Sequence, residues 1–301
     1  MAKNNIVAKK RILVLGCSGM LGQMVLKVLS KEKEWEVVGT QSKNLKDIDY
    51  FRVENGLNKL ESLGWFDYII NCIAITDKHI EENSSSSIVR AIRVNALFPH
   101  ELAHYSEEQG IRMIHISTDG VFSGKSSFAA SSVQSYDEEK RPDCSDLYGK
   151  TKSLGEIVSS NAITIRTSFI GPSPIKKEGL FEWFLSQPQN ATIQGFTNHT
   201  WHGVTTLQFA DLCVKILTQN AFEALRQESS IFHFIPNQAV TKYQLLNIFK
   251  DTFRPDLLVQ PVEDPHGSVQ RVLATKYEGV KMLYGFNRSM EEEIKRLAED
   301  K

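Results

Sequence analysis

Short apolar runs alternate with longer amphipathic segments along the first half of the chain. The run RILVLG at 11–16 ends in glycine, and the segment after it predicts a helix because Leu21, Val25, Leu26 and Leu29 share one face. Further runs rich in aliphatic and β-branched residues predict strands at 35–39, 50–53, 66–74, 113–117 and 162–166. Parallel strands need long crossover connections, which helices supply. The alternation therefore predicts an α/β fold, a doubly wound parallel sheet with helices on both faces.

Local signals predict where several helices begin or break. Pro99 lies inside the helical pattern of 87–110 and predicts a kink or interruption. Thr241 with Gln244, and Ser289 with Glu292, each fit a capping box, so helices are predicted to begin there. The serine run at 84–87 predicts a loop or a helix start.

The pattern changes after about residue 170, where loop-rich segments with proline, glycine and aromatic residues replace the alternation. We expect residues 1–170 plus 205–235 to form the domain that contains the main sheet. Residues 171–204 plus 236–301 would form a smaller C-terminal substrate-binding lobe.

Composition excludes several classes of protein. The 301 residues are 41% hydrophobic, and 35 basic against 36 acidic residues give a net charge of -1. No excess of positive charge favours nucleic acid or an anionic membrane. No apolar run approaches the roughly 20 residues of a membrane span, and no signal-like cleavage region follows MAKNNIVAKK, so we expect a soluble, cytoplasmic protein.

The four cysteines, Cys17, Cys72, Cys144 and Cys213, form no C-x-x-C pair. This spacing argues against a zinc site and against a dense disulfide framework. We expect reduced thiols and no metal.

A glycine loop follows the first predicted strand. In GCSGMLG the glycines are Gly16, Gly19 and Gly22, at the opening of the first helix. Glycines let backbone approach a pyrophosphate, and a helix start offers free N–H groups. Glycines needed only for a tight turn and close helix packing are the alternative, but the strand, loop and helix order favours a Rossmann-type dinucleotide site.

The end of the second predicted strand bears on which dinucleotide binds. It reads VVGTQSKN, without the acid that usually meets the ribose hydroxyls of NAD. Ser42 and Lys43 could bond and neutralise a 2'-phosphate, which favours NADP(H). A solvated loop lysine is the alternative reading, and NAD(H) stays open as a second cofactor.

Tyr148 and Lys152 stand four positions apart in SDLYGKTKSLGE, so a helix would project both from one face. An adjacent ammonium would lower the pKa of the phenol and make it a proton donor or acceptor near neutral pH. An ordinary surface pair is the alternative. Ser117, Thr118 and Asp119 end another predicted strand, where ligands of a doubly wound sheet gather, and this favours a site for hydride transfer to a ketone or its reverse.

Taken together, these motifs resemble an extended short-chain dehydrogenase/reductase, and within that group the dTDP-4-dehydrorhamnose reductase family. The resemblance rests on GCSGMLG, IINCIA, RVNALFPHEL, ISTDGVF, YGKTKSLGE, IRTSFIGP and QRVLATK, in the family's order over nearly the whole chain. It implies NADPH-dependent reduction of the 4-keto group of a nucleotide-linked 6-deoxy-4-keto sugar, for a polysaccharide precursor.

The resemblance also implies residue roles. Thr118, Tyr148 and Lys152 would be catalytic, with Tyr148 as the proton donor and Lys152 on the ribose. Besides these two and the pair Ser42 and Lys43, the cofactor would be held by Gly16, Ser18, Gly19, Met20, Leu21, Gly22, Asn71, Cys72, Ile73, Ala74, Ser168 and Ile170. The substrate would contact Thr118, Asp119, Trp201 and Arg271. Asn95 matches a structural position.

The chain departs from the family pattern at Gly120, where the family has a tyrosine, and around Trp201, His202 and Gly203. We expect His202 to be a loop residue, and a surface role is the alternative for Arg271. An epimerase or dehydratase of the same superfamily, or a cofactor-binding subunit without catalysis, are the alternative functions. The base, the sugar, the product stereochemistry and the oligomeric state, with a homodimer as one option, stay open.

Overall fold

A seven-stranded parallel sheet forms the centre of the computed structural model, which describes residues 9–42, 49–125 and 135–300. Its strands are β1 (Lys10–Leu15), β2 (Trp35–Gln41), β3 (Asp49–Tyr50), β4 (Tyr68–Asn71), β5 (Arg112–Ile116), β6 (Ala162–Arg166) and β11 (Ile231–His233). They lie in the order β11, β6, β5, β4, β1, β2, β3, and every neighbouring pair is parallel. The predicted doubly wound sheet is confirmed.

Eleven α-helices are present in these described ranges. They are α1 (Met20–Leu29), α2 (Asn58–Glu61), α3 (Ser85–Ala91), α4 (Phe98–Glu108), α5 (Leu147–Leu154), α6 (Leu180–Leu185), α7 (Thr206–Thr218), α8 (Phe222–Glu228), α9 (Lys242–Phe253), α10 (Glu278–Tyr284) and α11 (Met290–Glu299). None of these helices is long and apolar enough to cross a membrane.

The central strands are apolar at nearly every position because both faces of the sheet are covered. In β1, Ile12 and Val14 belong to the cluster that includes α1 and α7, whereas Leu13 and Leu15 belong to the cluster that includes α4. This arrangement explains why the strand patterns could be found as continuous apolar runs.

Smaller sheets lie in the later part of the chain. β7 (Phe169–Ile170) pairs with β10 (Val204–Thr205), and β8 (Thr192–Phe196) pairs with β13 (Leu258–Val262). β9 (His199–Trp201) lies between β12 (Val240–Thr241) and β14 (Val269–Gln270). Between these segments the chain returns to the main sheet, where α7 packs on α1 and β11 pairs with β6. We keep the boundaries of the two-part division as a proposal.

Two local predictions were wrong in part. The strand expected at 50–53 is only Asp49–Tyr50, because the chain turns into a 3-10 helix at Val53–Asn55 that ends at Gly56, with φ of 73°. Ser289 precedes α11 as predicted, but its side chain accepts no hydrogen bond from the first turn of the helix. Glu293, in that first turn, forms an ion pair with Arg288.

Other local predictions are confirmed. The Thr241 and Gln244 capping box is formed, and Ser84 caps α3 through the N–H of Ser87. The helical pattern around Pro99 is interrupted by a π-helix at Ile92–Leu97, and the proline lies in the first turn of α4, where its missing N–H leaves no broken bond.

Candidate active site

The carboxyl ends of β4, β5 and β6 meet at one edge of the sheet, as parallel strands require. Thr118 and Asp119 follow β5, and Thr167 and Ser168 follow β6. These residues border a cavity of about 390 Å³. Its lining consists of Thr76, Asp77, Ile80, Glu82, Thr118, Asp119, Gly120, Asp146, Tyr148, Thr167, Ser168, Phe169 and Arg271.

Helix α5 brings Tyr148 to this cavity. Asp146 caps the helix by accepting the N–H of Gly149 at 2.7 Å. A Cβ atom on Gly149 would lie 2.4 Å from the carbonyl oxygen of Gly120, so a glycine there lets α5 approach the turn that follows Thr118. The Tyr148 ring consequently lies beside Thr118, and both flank Gly120.

Thr118 is held by its neighbours in this turn. Its Oγ1 accepts the N–H of Gly120 at 3.0 Å and donates to Oδ1 of Asp119 at 3.2 Å. The hydroxyl is therefore fixed beside the phenol, and it could donate to a carbonyl oxygen by turning its proton away from Asp119.

The phenol is not acidic, and the expectation that Lys152 would lower its pKa was wrong. Burial raises the pKa of Tyr148 to about 12, and the carboxylates of Asp119, Asp77 and Asp146 add to the increase, against the lowering effect of the bond to Thr118. These negative charges come from three segments that converge on one ring. Tyr148 therefore keeps its proton at neutral pH, as a proton donor must.

Lys152 lies one helical turn beyond Tyr148 and is 1% exposed. Its Nζ donates to the carbonyl oxygen of Ile116 at 2.7 Å. Burial lowers the pKa of Lys152 to about 8, and Glu156 opposes that decrease. The ammonium is thus charged at neutral pH but close to losing its proton.

Arg271 and Asp119 line the cavity, and Lys242, the first residue of α9, interacts electrostatically with both. Burial raises the pKa of Asp119, while Arg271 and Lys242 pull it down. The Nε of Arg271 is buried and has no hydrogen-bond partner in the described part of the chain. Two cations act on Asp119, so this part of the cavity can take an anionic group, whereas Asp77, Glu82 and Asp146 add negative charge to the rest of the lining.

The glycine loop fits a dinucleotide. Gly16 has φ of 84°, and a Cβ atom there would lie 3.1 Å from Ile73 and 3.2 Å from Cys72. Gly22 packs against Gly16 so closely that a Cβ atom would approach its carbonyl oxygen to 2.4 Å. At Gly19 no side chain caps α1, and its first turn has no acid, so the loop leaves N–H groups for phosphate oxygens.

A cation that was not predicted from the sequence, Arg52, lies near the end of β2. Ser42 is exposed, and its carbonyl oxygen accepts a bond from Nε of Arg52 at 3.2 Å. Lys43 lies outside the described residues. Arg52 therefore offers a positive charge beside Ser42.

Some predicted contact residues have side chains turned away from the cavity. Asn71 is fully buried, with its amide engaged by the N–H of Ile73 and by His115. Trp201 is 5% exposed and donates its indole N–H to Ser168 at 2.9 Å, so it supports the cavity wall from behind. Leu21 and Ile170 lie in the core.

The remaining predicted positions differ in their surroundings. Ser168 lines the cavity, and Ser18, Gly19, Met20 and Ala74 are partly exposed. His202 is buried and bonded through Nε2 to the carbonyl oxygen of Asn237 at 2.9 Å, so it is a structural residue. Asn95 is structural as predicted, since its side-chain amide bonds both backbone groups of Ile75 and the hydroxyl of Thr151.

Two signals for the missed residues were present in the sequence. Lys242 occupies the first turn of a capped helix, where the helix dipole disfavours a cation unless it has another role. Arg166 ends an otherwise apolar strand, AITIR, and forms a buried ion pair with Glu156.

The family model for the RmlD substrate binding domain matches residues 10–271. Spore coat polysaccharide biosynthesis protein SpsK of Bacillus subtilis is 28% identical over 164 residues, 53% of each chain, so the chain spans about half the length of this relative. Methionine adenosyltransferase 2 subunit beta of Xenopus tropicalis is 25% identical over 274 residues, which cover 87% of this chain and 78% of that protein.

Among solved structures, dTDP-4-dehydrorhamnose reductase of Bacillus anthracis in complex with NADP superposes with a TM-score of 0.74 at 17% identity. The superposition covers 97% of this chain and 100% of that chain. This likeness shows a shared fold.

Proposed function

We propose, from the premise that the chain belongs to the RmlD substrate binding domain family, that it is an NADPH-dependent reductase of a nucleotide-linked 4-keto-6-deoxy sugar. One observation carries the proposal: Thr118, Tyr148 and Arg271 line a single cavity, with Lys152 buried one helical turn from the phenol. The proposed setting is the cytoplasm, and the product would be a polysaccharide precursor.

A bound reduced nicotinamide would supply the hydride to the keto carbon. Tyr148 would give its proton to the carbonyl oxygen, and Thr118 would hold that oxygen by a hydrogen bond. The product is then a secondary alcohol. Lys152 would bond the cofactor ribose, and the N–H groups of Gly16 to Gly22 would hold the pyrophosphate.

Arg271 and Lys242 support an anionic substrate. Arg271 lines the same cavity as Thr118, and Lys242 acts on Asp119 together with it, so a sugar diphosphate could place its phosphates at these two cations and its keto group at the phenol. Arg52 supports the preference for NADPH, because a guanidinium beside Ser42 can pair with a 2'-phosphate.

The test is oxidation of NADPH on addition of nucleotide-linked 4-keto-6-deoxy sugars, with identification of the product. We expect Tyr148→Phe to lower kcat by about 100-fold or more while NADPH affinity changes little. Tyr105→Phe, in α4 and outside the cavity lining, is the matched control and should turn over like wild type. Tyr148→Phe turnover within a few fold of wild type would contradict the assigned proton donor.

The likeness to methionine adenosyltransferase 2 subunit beta, over 78% of that protein, supports a second candidate: a dinucleotide-binding subunit that acts through a protein partner. Cofactor binding with no turnover of any nucleotide sugar, and a stable partner in pull-downs, would favour it. Tightly retained cofactor with no net consumption would favour an epimerase or dehydratase.

A further inference from the structure

A buried ion pair lies beneath the catalytic edge of the sheet. Arg166 donates from Nε and Nη2 to the two carboxylate oxygens of Glu156, both at 2.7 Å. The side chains are 3% and 5% exposed. Ser117 adds a third bond, from its hydroxyl to Oε1 of Glu156 at 2.8 Å.

Stability alone is a weak reason for such a pair. Removing two charges from water costs several kcal/mol for each ion, and apolar residues of similar volume are often as stable or more stable. The position of the pair points to another role. Ser117 separates Ile116, whose carbonyl holds Lys152, from Thr118, which contacts the phenol.

Glu156 supplies the negative charge that acts on Lys152. It opposes, more strongly than any other group, the effect of burial on that ammonium. Among the other groups of this region, the Arg166 guanidinium is positively charged and pairs with Glu156, whereas His115, Cys72 and Tyr148 are neutral at pH 7 because burial lowers the pKa of His115 and raises the pKa of Cys72 and Tyr148.

We propose that Glu156, held by Arg166 and Ser117, is a positioning residue that keeps Lys152 protonated and aligned for the dinucleotide. It acts through Lys152 and touches neither cofactor nor substrate. This role rests on the proposed reductase function, in which Lys152 bonds the ribose.

The deciding variant is Glu156→Gln, which keeps the size of the side chain and removes the charge. The readout is the dissociation constant of NADPH as a function of pH, with kcat/KM measured alongside. We expect wild-type binding to weaken above pH about 8, as Lys152 loses its proton. In Glu156→Gln that weakening should begin about one pH unit lower, so that binding at pH 8 is about 5-fold weaker and recovers in acid.

Glu299→Gln is the matched control, since it removes the same charge at an exposed position of α11, outside the cavity lining. Its pH midpoint should equal that of wild type. If the ion pair were purely structural, Glu156→Gln would weaken NADPH binding equally at all pH values. A folded Glu156→Gln variant with the same pH midpoint of NADPH binding as wild type would overturn the proposal.

The double variant Glu156→Met with Arg166→Met covers the case in which Glu156→Gln does not fold. It removes both charges and leaves an apolar pair. The pH midpoint of NADPH binding should again move to lower pH, and an unchanged midpoint counts against the proposed role of Glu156. Wild type that binds NADPH but reduces no keto sugar would refute the proposed function, while the binding midpoints still decide the role of Glu156.

Discussion

Lys152 donates its ammonium proton to the carbonyl oxygen of Ile116, at a distance of 2.7 Å. One carbonyl is a small compensation for an amine that water cannot reach. The lysine is therefore held in a state that costs stability, which is common for groups whose charge serves a reaction.

The first prediction concerns that cost. The pKa of Lys152 is lowered from 10.5 to about 8, so between these pH values the unfolded chain binds a proton that the folded chain has released. The free energy of unfolding should thus rise with pH across this window, and the full penalty applies below pH 8. Lys152→Met should increase the free energy of unfolding at pH 7 by about 1–3 kcal/mol, measured by urea denaturation.

The gain should shrink as the pH approaches 10.5, and activity should be lost at every pH. Lys59→Met, at an exposed position of α2, is the control and should change neither quantity. A Lys152→Met variant less stable than wild type at pH 7 would show that the buried ammonium does not destabilise the folded state.

The second prediction compares a glycine required by close packing, Gly155, with a glycine required by its backbone conformation, Gly110. A Cβ atom on Gly155 would lie 1.9 Å from the carbonyl oxygen of Asn95, although its φ of -91° suits any residue. Gly155→Ala should therefore push α5 away from the π-helix, destabilise the protein by at least about 2 kcal/mol and reduce turnover.

Gly110→Ala is the comparison, because Gly110 has φ of 68° and open space around it. It should cost about 1–2 kcal/mol through backbone strain alone and leave kcat unchanged. Thermal unfolding and steady-state kinetics of both variants measure these effects. Equal effects on kcat would mean that the contact with Asn95 does not position α5.

The third prediction tests the cations at the cavity. Arg271→Gln and Lys242→Gln should each raise KM for the nucleotide sugar by about 10- to 100-fold, as expected for a lost bond to a charged group, with a smaller effect on kcat. Arg90→Gln, exposed on α3, serves as the control. Should kcat fall while KM stays constant, these residues would act at the reacting carbon and not on the phosphates.

The fourth prediction concerns cofactor choice. Arg52→Ala should weaken NADPH binding by about 10-fold and leave NADH binding unchanged, because only the former carries a 2'-phosphate. Fluorescence titration with both cofactors measures the ratio. An equal loss for the two would indicate that Arg52 supports the loop around Ser42 and does not select the cofactor.

The sequence predicted those features that depend on local pattern. The strands appear as apolar runs because both faces of the sheet are buried, and Tyr148 and Lys152 were found because a helix places positions four apart on one face. Thr118 was found because it ends a predicted strand, and ligands of a doubly wound sheet bind at strand ends.

Features that depend on packing between distant segments were missed. Lys242 meets Asp119 only after the later part of the chain folds against the sheet. The direction of the pKa shift of Tyr148 was wrong because it depends on burial and on Asp77, Asp119 and Asp146, which no local pattern brings together.

The packing of α7 on α1 has a consequence for the solubility of fragments of this protein. The apolar face of α1, which begins at the glycine loop, is covered by α7, from nearly two hundred residues downstream, and the buried apolar residues of both helices belong to one core cluster. A fragment ending near residue 170 would expose that face to water and invite aggregation. The first 170 residues therefore cannot be moved to another protein without α7, and recombination near residue 170 would yield an insoluble product.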